Sequence, residues 1–271
     1  MSCINKVALL LLTILAACSA GYPESYQWVE KNFEVEKVSM VAIKQEVGTL
    51  SVRNSDNFSI EINGSITEKN NLSVEQGSNK ITIIIEDGSA RDELVVAVPD
   101  GISIEIATFK ADVDIHGIFS EIRVDSTAGS IALNSTADKV QIKAGRGEIE
   151  LTGESNNAVL IGEHGVISVR DFQGNVSMTS IMGTLEYYGI ENDQNQVVLE
   201  VDHGPVKIFL PESANQAILV STTSGYVTCM GDGLMQTVDG CRGQIGSGAG
   251  ELKIRTVSGR VDLQVLDFFG D

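Results

Sequence analysis

Three histidines, each directly before a glycine, and two alternating acid pairs are the side chains of this 271-residue chain whose types and spacing invite chemistry. His116-Gly117, His164-Gly165 and His203-Gly204 suggest a shared metal, with imidazole nitrogens as ligands. His164 and His203 lie two glycine steps apart, with Met182-Gly183 between them. Stacked strands would therefore hold the two rings about 10 Å apart, whereas zinc needs each nitrogen at about 2 Å. His116 lies further still, so no metal is expected. Asp112 with Asp114, and Glu148 with Glu150, are alternate residues of extended chain. Such carboxylates sit about 7 Å apart, within the range of about 5–9 Å used in glycoside hydrolysis. Any alternating acid pair meets that test, and aromatic residues, which stack on sugars, are only 5% of the chain. Gly246-Ser-Gly248-Ala-Gly250 has the glycines of a phosphate loop but neither its lysine nor its helix. No Gly-x-Ser-x-Gly stands between a strand and a helix. The chain is expected to be no enzyme and to hold no cofactor, with a glycan-active β-helix as the enzymatic alternative.

The elements that carry these residues follow a repeat. Nine glycines open the phrase glycine, any, apolar, any, apolar: Gly48, Gly129, Gly147, Gly165, Gly183, Gly204, Gly225, Gly250 and Gly259. From Gly129 to Gly183 the steps are each 18 residues. A fixed period near twenty, built from short alternating strands, marks a stacked solenoid whose units bury apolar faces against their neighbours. Ile131 and Leu133, Ile149 and Leu151, Ile167 and Val169 are expected to point inward. Val140-Gln-Ile142, Val159-Leu-Ile161 and Val176-Ser-Met178 supply a second strand per winding. The glycines belong at corners. Pro99 and Pro211 mark strand ends, because proline cannot donate to a ladder. Only Gln27 to Lys31 and Gly233 to Val238 have room for a helical turn. Residues 33 to 98 read as less regular first coils and an end cap.

The N-terminus gives an address. Lys6, the apolar run Val7 to Ile14 and Leu15-Ala16-Ala17-Cys18 form a secretory signal peptide over residues 1–17. The run is short of the roughly 20 residues a spanning helix needs. Cysteine after Leu-Ala-Ala resembles a bacterial lipoprotein box, which implies acylation of Cys18 and firm membrane attachment. Ser19, by the same resemblance, implies the outer membrane in a double-membraned organism. Residues 18–32 then form the lipidated cysteine and tether, 33–266 a single domain, and 267–271 a tail. The net charge is -18, and removing Lys6 with the signal peptide makes it -19. That surface repels phosphate backbones, so no nucleic acid is expected as a partner. Alternating acids read first as the solvated side of strands, with divalent-cation binding as the alternative. In an exported, oxidising setting Cys229 and Cys241 are expected to pair; two unpaired core thiols are the alternative.

The strings Pro99-Asp-Gly-Ile-Ser-Ile, Thr127-Ala-Gly-Ser-Ile-Ala-Leu, Ser221-Thr-Thr-Ser-Gly-Tyr-Val and Arg255-Thr-Val-Ser-Gly-Arg-Val-Asp-Leu resemble the "putative adhesin" β-strand-repeat domain of bacterial envelope proteins. The resemblance covers about residues 33 to 266 and implies an all-β, right-handed β-solenoid or β-helix-like fold with no catalytic residues. The expected protein is anchored by lipid in the cell envelope and acts as a surface for adhesion, binding or scaffolding. Its expected partners are the membrane, another envelope protein, or an extracellular glycan or matrix ligand. A periplasmic partner in an envelope regulatory system is the alternative.

Overall fold

The computed structural model describes residues 25–34, 37–67, 71–191 and 193–266. The expected signal peptide over residues 1–17, Cys18 and the tail 267–271 lie outside the described residues. Every regular element described is a strand, and together they form one 16-stranded sheet. In chain order these are β1 (Tyr26–Glu34), β2 (Met40–Asn54), β3 (Ser59–Thr67), β4 (Asn71–Gln76), β5 (Lys80–Glu86), β6 (Glu93–Val98), β7 (Ser103–Ala128) and β8 (Ile131–Tyr188). There follow β9 (Gln196–His203), β10 (Val206–Pro211), β11 (Gln216–Thr222), β12 (Tyr226–Met230), β13 (Leu234–Thr237), β14 (Gly240–Gln244), β15 (Gly250–Ser258) and β16 (Arg260–Leu266).

The period in the sequence is the pitch of the winding. β7 and β8 pair in parallel with Val113 beside Ile131, Ile115 beside Leu133, Ile122 beside Val140 and Val124 beside Ile142. Each winding has two arms: a first wall, such as Ile122 to Ser126, and a second wall, such as Ile131 to Asn134. Their inward side chains meet in one continuous apolar cluster. Leu133, Leu151 and Val169, successive tiers of one column, are all buried. The alternation fixes which side chains enter the core, because a strand turns successive residues to opposite faces.

The glycine corner lets the windings approach. Gly129, Gly147 and Gly165 have φ of +115°, +130° and +125°. A Cβ on Gly147 would lie 1.9 Å from the carbonyl oxygen of Gly129, and one on Gly165 1.8 Å from that of Gly147. No other residue fits both the dihedral and the space. Gly250 departs from this column. It opens a first-wall strand, where a Cβ would meet Gln194 and Gln216 instead. Its phrase matches because any strand entered from a glycine reads the same way.

Other details also depart from the sequence reading. Val159 and Ile161 stand half-buried on the outside of the first wall, while Ala158 and Leu160 point inward. Gln27 to Lys31 lies in β1, and Gly233 to Val238 contains β13. Both are edge strands whose partners, β3 and β14, run antiparallel to them.

The windings do not stack in chain order at either end. β2 lies between β5 and β6 on one side and β7 on the other. At the opposite end β15 pairs with β9 and β11, and β16 with β10 and β12. The last winding in sequence is therefore inserted one tier from the end, and residues 216–244 build the end itself. Antiparallel strands finish both ends: β3 on β6 and β4 on β5, then β14 on β11. Such caps keep a stack from pairing indefinitely through its open edges.

Buried polar groups secure the irregular corners. The Tyr187 hydroxyl donates to Asp193 Oδ2 at 2.7 Å, and Asp193 Oδ1 accepts from the Asn195 amide at 2.9 Å. Burial, reinforced by the Asp193 charge, pushes the Tyr187 phenol well above its ordinary range. Asp92 does the same work near the other end, accepting from Thr67 and Ser89.

Candidate functional site

The two-walled winding separates the histidines. His116 sits at the far corner of the second wall, where its Nε2 lies 2.8 Å from Asp114 Oδ1. His164 and His203 occupy the glycine corner with Met182 in the tier between them; Met182 is beside His203 in register. His203 Nδ1 meets Ser258 Oγ at 2.7 Å. Among the described residues no group of three or more His, Cys, Asp or Glu is placed to hold a metal ion.

The acid pairs lie on the outer face of the second wall, and neighbours occupy three of the four carboxylates. Asp112 accepts from the Ser130 amide at 2.9 Å and the Ser130 hydroxyl at 2.7 Å, one tier away. Those two donors hold its carboxyl below the usual range. A glycosidase acid needs the opposite shift, so that it keeps its proton near neutral pH. Glu150 is bridged to Arg170 Nε at 3.3 Å. Glu148 points into solvent between the Ser130 and Val166 tiers. Among the described residues, the pairs thus sit on the outward side of the second wall, away from the core.

What the sequence reading missed is a strip on this same wall. The Arg170 guanidinium lies 5.1 Å over the Tyr188 ring, and Tyr188 stacks on Phe209 with centroids 4.9 Å apart and planes at 19°. Phe209 is beside Tyr188 on one side and Gln264 on the other. Alongside, Lys207 Nζ donates to Glu186 Oε1 at 2.8 Å, and Arg260 pairs with Asp262 at 2.7 Å. The Glu186 carboxylate raises the Lys207 ammonium above its ordinary value. Stacked aromatics and cation–π contacts are worth about 0.5–1.5 kcal/mol each, comparable with the rotamer entropy of the side chains that they restrain. The signal is present in the sequence: positions 152, 170 and 188 share the 18-residue step, but they face outward and lack the apolar pattern that marks the inward columns.

The end built from residues 216–244 is cross-linked. Cys229 in β12 and Cys241 in β14 are joined by a disulfide. Gln236 in β13 covers the free edge of β12: its Oε1 accepts from the Cys229 amide at 3.3 Å, and its Nε2 donates to the Val227 carbonyl at 3.0 Å. The same Nε2 lies 3.0 Å from the Gly240 carbonyl. One side chain thus stands in for a missing strand. The glycine-rich run Gly246 to Gly250 forms a corner, where Asn215 Oδ1 accepts from the Ser247 amide at 3.0 Å. Within it the Gly248 amide donates to the Ile245 carbonyl at 3.3 Å and the Gly250 amide to the Asn215 carbonyl at 2.7 Å.

The profile of the Toastrack DUF4097 family matches residues 32–264. Among solved structures, a "putative adhesin" from Bacteroides fragilis superposes with a TM-score of 0.52 at 13% identity, covering 89% of this chain and 99% of that one. At that identity the likeness shows a shared fold. A "putative cell adhesion protein" from Clostridium sporogenes gives a TM-score of 0.34 at 14% identity, covering 89% of this chain and 100% of that one. A "putative adhesin" from Parabacteroides merdae gives 0.44 at 8%, covering 88% and 97%. No curated protein matches the chain.

Proposed function

The chain belongs to the Toastrack DUF4097 family, and from that premise we propose that it is a bacterial envelope protein, held by lipid at Cys18, whose stack works as a non-catalytic binding surface. One observation carries the reading. The outer face of the second wall displays a continuous strip, Glu150, Arg170, Tyr188 and Phe209, whose side chains touch one another in turn. Ordered aromatic and arginine side chains are the groups that dominate recognition surfaces, because little entropy remains to be lost on contact. Of the four acids that would have to catalyse, Asp112, Asp114 and Glu150 are instead engaged by Ser130, His116 and Arg170. The name given to the Bacteroides fragilis protein agrees in kind with an adhesive role.

Two measurements test this reading. Cys18→Ser is expected to move the protein from the membrane fraction to the soluble fraction, and continued membrane attachment would refute the anchor. Purified protein is expected to bind at least one of immobilised mucin, peptidoglycan or collagen, with Tyr188→Ala and Phe209→Ala each weakening binding about tenfold. Release of sugar from any of these would overturn the non-catalytic reading. Protease treatment of intact cells then separates a surface adhesin, which is removed, from a periplasmic partner, which is spared.

A further inference from the structure

An exposed tryptophan stands close to the proposed lipid anchor. Trp28 is the single tryptophan of the chain, and it is 69% exposed, with Tyr26 38% exposed on the same face of β1. Tryptophan is on average a highly buried residue, so this placement calls for a cause. The sequence clusters the same residue types. Of five tyrosines and one tryptophan, Tyr22, Tyr26 and Trp28 fall within residues 22–28, just after Cys18.

The fold puts these rings at an end of the stack. β1 is first in the strand order, and its one strand partner among the described residues is β3. Val29 is buried and Phe33 packs against the core, which docks β1 and turns Tyr26 and Trp28 outward. Tyr26 is beside Thr67, Trp28 beside Ser65 and Val29 beside Gly64. This corner therefore carries no charge until Glu30. Cys18 lies eight residues before Tyr26, a segment that spans at most about 28 Å.

We infer that this corner rests on the bilayer that holds Cys18, with Trp28 and Tyr26 at headgroup level and the stack standing end-on. Rings of tryptophan and tyrosine concentrate at the membrane–water boundary, where the ring leaves water while its polar atom stays hydrated. The depth is limited by β1 itself. Backbone groups along a free strand edge need water, so the strand stays among the headgroups and out of the hydrocarbon. Charge sets the orientation. Side-on, a chain of net charge -18 would press outward carboxylates such as Asp112 and Glu148 against headgroup phosphates; end-on, it meets them through the uncharged corner. Residues 216–244 then form the tip furthest from the lipid. The inference rests on the lipid-anchored reading and adds which end of the stack faces the membrane.

The test uses the chain from Cys18 onward, in which the Cys229–Cys241 bond leaves Cys18 as the one thiol. Once it is coupled to maleimide-bearing phosphatidylethanolamine in phosphatidylcholine vesicles, Trp28 is expected to emit at shorter wavelength than in the uncoupled chain. Phosphatidylcholine brominated near the headgroup end of its acyl chains should quench roughly half of that emission, and aqueous acrylamide should quench about twofold less, as for a ring shared between lipid and water. Trp28→Phe with Tyr226→Trp moves the single tryptophan to the far end and should abolish the bromolipid quenching. Emission and acrylamide quenching unchanged by coupling overturn the inference. So does a shorter wavelength without bromolipid quenching, which would mean that protein covers the ring. Equal bromolipid quenching in the Tyr226→Trp chain would lay the stack flat, and also overturns it. Coupling holds the chain at a bilayer whether or not cells acylate Cys18, so this result and the Cys18→Ser fractionation can fail separately.

Discussion

Replacing Gly147 with alanine isolates what the glycine column does. The new Cβ would lie 1.9 Å from the Gly129 carbonyl oxygen, where such atoms keep at least 3.0 Å, so the tiers must part by about 1.1 Å. That opens ladder bonds of about 2.9 Å past the distance at which they count as bonds. Losing two of them costs about 2 kcal/mol. The φ of +130° adds about 1–3 kcal/mol for a residue with a side chain. The expected loss is about 3–5 kcal/mol, a large share of the 5–15 kcal/mol typical of a domain. Two other glycines divide the causes. Gly101 has φ +77° but nothing within 4 Å of its Cβ position, so Gly101→Ala should cost about 1 kcal/mol. Gly183 lies outside the left-handed range, yet its Cβ would be 2.5 Å from the Gly165 oxygen; Gly183→Ala should cost about 1–2 kcal/mol from crowding alone. Urea unfolding of the three variants is the assay. If Gly147→Ala is no worse than Gly101→Ala, close stacking at this corner is not what holds the windings.

Further expectations concern the cap and the acid limb of stability. Changing Cys229 and Cys241 together to alanine frees a loop of separation 12 and should cost about 3 kcal/mol. It should appear as faster hydrogen exchange in β12, β13 and β14, and unchanged exchange there would contradict a stapled cap. Asp112 has a lowered carboxyl pKa because Ser130 donates to it twice. Its contribution is therefore present above the unfolded value of about 3.9 and lost as pH falls through the lower folded value. Asp112→Ala should lose less stability than the parent as pH falls below about 4; an equal loss in both would assign the acid sensitivity elsewhere.

Much of the architecture is legible in the residues because alternation and an 18-residue step state the winding directly. Ile131, Ile149 and Ile167 announce both their face and their column. The tier order is not legible. Val206-Lys-Ile208 and Val261-Asp-Leu263 carry the same pattern as Val227-Thr-Cys229, so nothing in the phrase says which lies next to which. Pairing in register follows from pattern, but the sequence of partners depends on chain connections that the pattern does not encode. Val159 and Ile161 mislead for a related reason. Ala158 and Leu160 fill the core beside a wall that also tolerates apolar residues outside, so either phase looks apolar. The candidate strip is hidden differently: Arg170, Tyr188 and Phe209 become neighbours only once the step that aligns Ile167 with Leu185 is applied to the outward positions. That residues 216–244 build an end is likewise shown only by the interleaved order.

The placement of that end decides the account, and cross-linking reads it directly. In the structure Val198 is beside Lys253, and Lys253 beside Leu219. Val198→Cys with Lys253→Cys is therefore expected to form a disulfide under mild oxidation, since adjacent strands at about 4.8 Å fall within bonding range. Val198→Cys with Leu219→Cys should stay reduced, with a full tier between the two sulfurs. Cross-linking of the second pair and not the first would put the windings in chain order, and would move the exposed cap of residues 216–244 into the interior of the stack.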